Sequence, residues 1–308
     1  MPEPLIVTAP ASSANLGPGF DTLAVALDLS NVVRIEQRPG PLEVRVEGEG
    51  ADVLPADETN LVCRALASGI GGLDGLEIVC KNRIPLRRGL GSSSSAICAG
   101  LVAANALGGL RWAPDDLLAR AAEFEGHADN AAACLEGGCV AVAPGPRAVP
   151  VPVPEELVFV VVIPDQTVAT NDARGALPEY VSLQAAAKTL CHGIGLTLAL
   201  SEGRLDELGD FLKDHLHEPY RGPFVPAVDG LRALVDGEGC LGATVSGSGP
   251  AMLLWCRADA VKDVAGAAES VLSEAGEPGR ARISKVAPTG VRARWGGANE
   301  AQLAKAIG

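Results

Sequence analysis

The spacing of apolar and polar residues predicts a mixture of strands and helices in the first half of the chain. Residues 32–37 and 42–47 alternate between apolar and polar side chains, which is typical of antiparallel strands with one face in water. Shorter apolar segments predict further strands, at 5–9, 76–80 and 137–142. Helices are predicted at 60–70, 96–107 and 114–125. The last of these begins with Pro114, Asp115 and Asp116, which suit a first helical turn.

The second half of the chain has its own order of elements. Strands are predicted at 157–163, 242–246, 251–256 and 281–286. Helices are predicted at 181–200, 205–216, 225–235 and 261–275. With the two middle helices treated as an insertion, the order is β-α-β-β-α-β, the ferredoxin-like split unit. Prolines are concentrated at 144–156 and break regular ladders, so we expect two domains, 1–150 and 151–308.

A segment rich in glycine and serine lies directly before the apolar segment 96–107. Gly89, Leu90 and Gly91 are followed by four serines, at 92–95. Glycines allow close backbone approach, and a helix N-terminus with unpaired N–H groups binds phosphate. The patterns G-x-x-x-x-G-K-[ST] and G-x-G-x-x-G of two common nucleotide-binding folds are both absent. By itself, the segment fits either a phosphate-binding loop or a flexible turn before a core helix.

Two further segments combine polar residues in a way that indicates a functional site. Residues 10–21 contain so much Gly, Pro, Ser and Asn that neither strand nor helix is expected, and long ordered loops are often functional. Residues 123–130 hold three acids, one His and one Asn, directly before the apolar segment 131–135. Such a density of polar groups beside a buried segment favours a site over a structural role.

Composition narrows the classes of protein to which the chain can belong. The net charge of −13 argues against nucleic-acid binding, since no basic face is implied. The eight cysteines show neither C-x-x-C nor zinc-site spacing, which indicates a reduced, cytoplasmic protein without disulfides. No signal peptide is recognisable, and no apolar segment reaches the ~20 residues of a membrane span.

Several of these segments resemble the conserved blocks of the GHMP kinases. Residues 85–93 match the P-x-x-x-G-L-G-S-S loop of that family, and 244–251 look like its third block. Residues 10–21, 123–130 and the pair of segments 170–174 and 217–221 are similar to homoserine kinases in particular. The resemblance implies an α+β, two-domain GHMP kinase fold, with an N-terminal half like ribosomal protein S5 domain 2 and a ferredoxin-like C-terminal half.

The resemblance also implies roles for individual residues. Those expected to bind ATP are Pro85, Arg88, Gly89, Leu90, Gly91, Ser92, Ser93, Ser94 and Ser95. Those expected to bind Mg²⁺ are Ser94, Ser95 and Glu123, with Glu125 as the alternative carboxylate. Those expected to bind the substrate are Asn15, Asp21, His127, Asn130, Thr170, Arg174, Arg221 and Gly247. The catalytic set is expected to be Glu123, Asn130, Ser94 and Arg174.

The implied reaction is the ATP-dependent phosphorylation of the L-homoserine hydroxyl, which feeds threonine synthesis. Where several GHMP kinases have an Asp base, this chain has Asn130, so we favour direct transfer of the hydroxyl proton to the γ-phosphate. Another alcohol of the shikimate or mevalonate type remains an alternative, as does a nucleotide-binding regulator without catalysis. The partner expected is a small molecule rather than nucleic acid or membrane, and a homodimer is left open.

Overall fold

The computed structural model describes residues 3–237 and 239–296, and within them seven strands form the first sheet. These strands are β1 (Leu5–Ala14), β2 (Leu23–Gln37), β3 (Glu43–Gly48), β4 (Leu76–Asn82), β5 (Cys139–Ala143), β6 (Arg147–Val151) and β11 (Arg292–Trp295). Their order is β11-β1-β2-β4-β3, and β5 pairs with both β2 and β6. Only β3 and β4 run parallel; the other pairs described in this sheet are antiparallel. The loop after β1 connects it to its antiparallel neighbour β2, so this loop lies at the end of these two strands.

Four helices belong to the same half: α1 (Leu61–Ile70), α2 (Ser92–Gly108), α3 (Pro114–Glu125) and α4 (Asp129–Glu136). The buried side chains of α2 are small, mainly Ala, Gly, Cys and Ser, so α1 can approach it closely. At Gly100, an added Cβ would lie 2.5 Å from the carbonyl oxygen of Val62. This tight packing fixes the N-terminus of α2, which directly follows the glycine and serine segment.

The second sheet contains β7 (Leu157–Pro164), β8 (Cys240–Val245), β9 (Met252–Arg257) and β10 (Gly279–Ser284). Its order is β10-β7-β9-β8 with antiparallel pairing throughout, and α10 (Val261–Glu274) connects β9 to β10. The predicted ferredoxin-like arrangement is therefore confirmed. Between β7 and β8 lie α5 (Thr170–Gly175), α6 (Leu183–Ser201), α7 (Leu208–Phe211), α8 (Glu218–Arg221) and α9 (Val228–Ala233).

Some predicted elements differ from the structure. The predicted helix 205–216 is a 3₁₀ turn, Leu205–Glu207, followed by α7, because the chain then turns to let Asp214 accept hydrogen bonds from the amides of Leu216, His217 and Glu218. The predicted loop 10–21 starts later, since β1 continues to Ala14. The proline-rich segment contains β6, which pairs with β5.

The two halves share apolar contacts rather than standing apart. One core cluster joins Leu16 and Val25 of the first half to Phe159 and Trp255 of the second. Strand β11 pairs with β1, so the chain returns to the first sheet after the predicted division at residue 150. No helix in the described ranges is long and apolar enough to cross a membrane. The shared core holds the loops of both halves against one another.

Candidate active site

A cavity of about 530 Å³ lies where loops of the two halves meet. The first half contributes the loop after β1, the glycine and serine segment, and the start of α4. The second half contributes α5, the end of α8 and the turn after β8. All six segments that resemble kinase blocks contribute lining residues to this cavity, although they are far apart along the chain.

The glycine and serine segment reaches the cavity as a tight loop ending at the N-terminus of α2. Gly91 is left-handed, with φ 65° and ψ 29°, and no side chain caps this helix end. Gly89 has φ 74°, and an added Cβ would lie only 2.0 Å from the carbonyl oxygen of Ser246. Both glycines are therefore required by backbone conformation and by close approach, Gly89 to the turn after β8 and Gly91 to Ser12 of β1. The unpaired amides and dipole of the helix start suit an anion.

The serines of this segment point in different directions. Ser93 Oγ donates a hydrogen bond to Glu125 Oε1 over 2.6 Å, and Ser94 donates to Glu125 Oε2. The Ser95 hydroxyl instead donates to the carbonyl oxygen of Ala9 over 3.0 Å, inside the core. The expected place of Ser95 among the Mg²⁺ ligands is therefore corrected, because its hydroxyl faces away from the cavity.

The carboxylate beside these serines is Glu125, and the preference for Glu123 is corrected. Glu123 is exposed and does not line the cavity, whereas Glu125 is half-buried and does. The two residues differ by about 200° around helix α3, so only one of them can face Ser93. Burial raises the pKa of Glu125 above its ordinary value, against the hydrogen bonds from Ser93 and Ser94, which lower it.

Asn130, Asp129 and His127 also line the cavity. Ser12 Oγ donates to Asn130 Oδ1 over 2.8 Å, so the amide is oriented by a residue that the sequence did not identify. His127 Nδ1 lies 2.8 Å from Asp129 Oδ1, and this hydrogen bond raises the pKa of His127. A histidine oriented by a carboxylate in this way has the arrangement of a general base, so the His127–Asp129 pair is a candidate for that role.

At the other end of the cavity, Asn15 and Asp21 come from the loop after β1. Asn15 Nδ2 donates to the carbonyl oxygen of Gly247 over 2.8 Å, and Asn15 Oδ1 accepts from the amide of Asp21 over 3.0 Å. Arg174 Nη2 forms an ion pair with Asp21 Oδ1 at 2.8 Å, with both side chains partly exposed. The structure thus brings these four residues together. Thr170 begins α5, and its side chain lies outside the described residues.

Arg221 is a buried cation rather than a solvated surface charge. Its Nη1 donates to the carbonyl oxygen of Gly247 over 3.1 Å and lies 3.4 Å from His217 Nδ1. His217 Nε2 contacts the carbonyl oxygen of Gly17 at 2.9 Å, so Nε2 carries the proton and burial lowers the pKa of this imidazole. Among the described residues, no group accepts a hydrogen bond from the buried Arg221 Nε. The guanidinium therefore has capacity for an anionic ligand.

Arg88 lines the cavity but its side chain is committed elsewhere. Nη1 donates to Leu86 O over 2.9 Å, and Nε and Nη2 donate to the carbonyl oxygens of Pro164 and Asp165. In this arrangement the Arg88 side chain holds the loop against the end of β7, and its contact with ATP stays a prediction. Pro85, Leu90 and Ser92 line the cavity, and their contact with ATP stays a prediction.

The sequence did not identify the apolar end of the cavity. This end is lined by residues from three separated segments, including Leu54, Pro55, Val62, Ile97 and Phe124. Single apolar residues scattered along a chain give no signal of a shared wall, so only the packing of α1, α2 and α3 reveals it.

Two sequence families match the chain, described as GHMP kinases N terminal domain over residues 59–138 and GHMP kinases C terminal over residues 196–274. The homoserine kinase of Moorella thermoacetica is 38% identical over 82% of this chain and 87% of the relative. That of Streptomyces coelicolor is 42% identical over 84% of this chain and 86% of the relative. The chain belongs to the homoserine kinase family of GHMP kinases.

A solved homoserine kinase from Cytophaga hutchinsonii superposes with a TM-score of 0.86 and 30% identity, covering 96% of this chain and 98% of that one. Lactococcus lactis galactokinase, at 15% identity, shares the fold with a TM-score of 0.70 over 94% of this chain and 95% of that one. The GHMP kinase fold predicted from the sequence is therefore confirmed.

Replacing Gly91 by Ala is expected to impair ATP binding in this homoserine kinase. The added Cβ would lie 2.2 Å from Ser12 Oγ and 3.1 Å from Asn130 Oδ1. We expect KM for ATP to rise at least about tenfold, because the loop must move to relieve the contact. Gly109→Ala is the matched control: it has φ +58° at the other end of α2 and nothing within 4 Å of its Cβ. It should lose stability by about 1–2 kcal/mol but keep its KM. Equal KM values for both variants would contradict a tightly packed phosphate loop.

Proposed function

We propose that this protein transfers the γ-phosphoryl group of ATP to the side-chain hydroxyl of L-homoserine, giving O-phospho-L-homoserine. One observation carries the proposal. A single cavity has a serine-lined helix N-terminus and a carboxylate at one end, and an aspartate with two arginines at the other. The first end suits a triphosphate, and the second suits an amino acid with both of its charges. Membership of the homoserine kinase family supports the same reaction.

The residues at the helix N-terminus fit ATP and Mg²⁺. Hydroxyl and carboxylate oxygens are the ligands that Mg²⁺ prefers, usually with one or two carboxylates and the substrate phosphates. Glu125, with Ser94 beside it, would hold the ion. In the described ranges, no group of three or more His, Cys, Asp or Glu side chains is placed to hold a metal by itself. When bound, Mg²⁺ neutralises charge on the phosphate oxygens. The apolar end of the cavity suits the base of the nucleotide.

The opposite end of the cavity suits the zwitterion of an α-amino acid. We assign the carboxylate of homoserine to Arg221 and Arg174, because a guanidinium can hold a carboxylate through two parallel hydrogen bonds. We assign the ammonium group to Asp21, which Arg174 contacts before the substrate enters. Asn15 and Gly247 hold the walls of this end in place through their mutual hydrogen bond.

The transfer itself requires positioning more than a base. The homoserine oxygen forms a bond to the γ-phosphorus, the bond from that phosphorus to ADP breaks, and the hydroxyl proton moves to a γ-phosphate oxygen. Asn130 would orient the hydroxyl, since Ser12 occupies its Oδ1 and its Nδ2 hydrogens remain for the cavity. An amide cannot take up the proton as a carboxylate would, so we infer that the phosphate accepts the proton, with the His127–Asp129 pair as the alternative base to be tested.

If the phosphate accepts the proton, His127→Ala and Asp129→Asn should each slow the enzyme by less than about 10²-fold, the lower bound for a lost general base. Asp129→Asn should also lower the pKa of His127, because it removes the hydrogen bond that raises it. The measurements are kcat from pH 6 to 9 and the unfolding temperature of each variant. A larger loss of kcat in a folded variant would show that this pair acts as the base.

The proposed function is tested by ADP release from purified protein with ATP, Mg²⁺ and a panel of alcohols. Homoserine should give turnover, and shikimate and mevalonate should give little, because neither offers an ammonium group to Asp21. Greater turnover with either of them would contradict the substrate assignment. ATP binding without turnover on any alcohol would favour the alternative of a nucleotide-binding regulator. The cytoplasmic location and a homodimer stay predictions; sedimentation of the purified chain would test the dimer.

A further inference from the structure

Glu218 is a buried carboxyl group that the proposed transfer does not use. It lies at the start of the short helix α8 and is 5% exposed. Its Oε1 accepts a hydrogen bond from the amide of Val245 over 2.7 Å, and its Oε2 accepts one from Arg232 Nη2 over 3.0 Å. Removing a carboxyl group from water is unfavourable unless such partners compensate. The burial of this carboxyl group therefore indicates a role beyond packing.

The same helix carries Arg221, and the two residues hold the same part of the second sheet. Glu218 binds Val245 at the end of β8, while Arg221 binds Gly247 two residues further along. Residues three apart on a helix lie on one face, so both side chains reach the turn after β8 together. His217 directly precedes Glu218, and its imidazole binds the carbonyl oxygen of Gly17 in the loop after β1. Helix α8 and the residue before it thus contact the end of β8, the turn that follows it and the loop after β1, and the last two of these segments border the cavity.

We propose that Glu218 is a positioning residue for homoserine, which holds α8 at the end of β8 so that the Arg221 guanidinium meets the substrate carboxylate. The proposal rests on the proposed function, because it assigns no new ligand to the cavity. A site must hold its binding groups within about 0.5 Å of the productive geometry. Removing a residue that fixes one of these groups should therefore weaken the binding of the ligand that the group contacts. Glu218 should therefore affect homoserine and leave ATP almost untouched.

The conservative variant is glutamine. Burial raises the pKa of Glu218 to about 7, against the Val245 amide and Arg232, which lower it, so near neutral pH much of the protein carries the uncharged carboxyl group. A glutamine amide is uncharged as well, and its oxygen can accept the Val245 hydrogen bond. Glu218→Gln should therefore keep the positioning, whereas Glu218→Ala removes it.

The experiment compares KM for homoserine, KM for ATP and kcat in Glu218→Ala, Glu218→Gln and Arg232→Gln. Glu218→Ala should raise KM for homoserine at least about tenfold, as for one lost hydrogen bond to a charged group, and change KM for ATP less than about twofold. Glu218→Gln and Arg232→Gln both keep an acceptor for the Val245 amide, so each should stay within about threefold of the unmodified protein.

The matched control is Ser284→Ala, which also removes a buried polar group from the second half, in β10, but does not border the cavity. It should lower the unfolding temperature without changing the ratio of the two KM values. If Glu218→Ala behaves in the same way, Glu218 is a merely structural residue and the proposal is wrong. If Glu218→Gln loses as much homoserine affinity as Glu218→Ala, the hydrogen bond to Val245 is not what matters, and the proposal also fails.

A measurement on the free protein separates this proposal from the proposed function. Solvent exchange of the buried Arg221 Nε–H can be followed by NMR without any substrate, with Arg221→Lys identifying the signal. Glu218→Ala should accelerate this exchange at least about tenfold, because α8 is released from β8. Unchanged exchange would overturn the proposal even if homoserine is the substrate. Accelerated exchange in a protein that fails to phosphorylate homoserine would show that Glu218 holds α8 at β8, and would overturn only the assignment of homoserine as the substrate.

Discussion

Glu125→Gln should lower kcat by about 10²–10³-fold, the range found when one electrostatic contact to a reacting group is removed. The variant keeps the shape of the side chain and its place beside Ser93 and Ser94, but loses the charge proposed to hold Mg²⁺. ATP binding measured without turnover should change little, because the helix N-terminus and the loop amides remain. The loss should shrink as Mg²⁺ is raised, since a weaker site is filled by mass action.

Glu123→Gln provides the control for this experiment. It makes the same chemical change two residues away on α3, at an exposed side chain outside the cavity. Its kcat should stay within about twofold of the unmodified protein, as expected for a surface substitution. A collapse of activity in Glu123→Gln rather than Glu125→Gln would show that α3 presents a different face in the working enzyme.

Arg221→Lys should raise KM for homoserine by about 10–150-fold, which corresponds to the 1.5–3 kcal/mol of a hydrogen bond to a charged group. Lysine keeps the positive charge but cannot hold a carboxylate through two parallel hydrogen bonds. The effect should be large because Arg221 is 2% exposed, where water screens the interaction weakly. KM for ATP should barely change, since the carboxylate lies away from the phosphoryl group in the proposed complex.

Arg174→Lys is the comparison, because Arg174 is proposed to bind the same carboxylate from a side chain that is 42% exposed. Its effect on KM for homoserine should be smaller and should decrease as salt is added, whereas that of Arg221→Lys should persist. The measurement is KM for both substrates at low and high potassium chloride. If both variants keep the KM of the unmodified protein for homoserine, neither arginine holds its carboxylate.

The sequence by itself determined those features that depend only on residues close together along the chain. The alternation of period two and the apolar segments are local, so the β-α-β-β-α-β order of the second half could be read directly and is confirmed. Gly91 followed by serines and an apolar segment predicted helix α2 for the same reason, although α2 begins at Ser92 rather than at residue 96. The polar segments 10–21, 85–95 and 123–130 were identified without the fold because their composition marks them, whereas 170–174 and 217–221 were identified only through their resemblance to known kinases.

Only the tertiary structure decided which side chain in each segment faces the cavity. Glu123 and Glu125 look alike in sequence, and so do Ser94 and Ser95; the packing of α2 against α3 and β1 chooses between them. Similarly, the Arg88 side chain donates hydrogen bonds to carbonyl oxygens at the end of β7, which lie 76 or more positions away along the chain. Such choices depend on contacts between distant segments, and no local pattern records the direction in which a side chain points once those segments have packed.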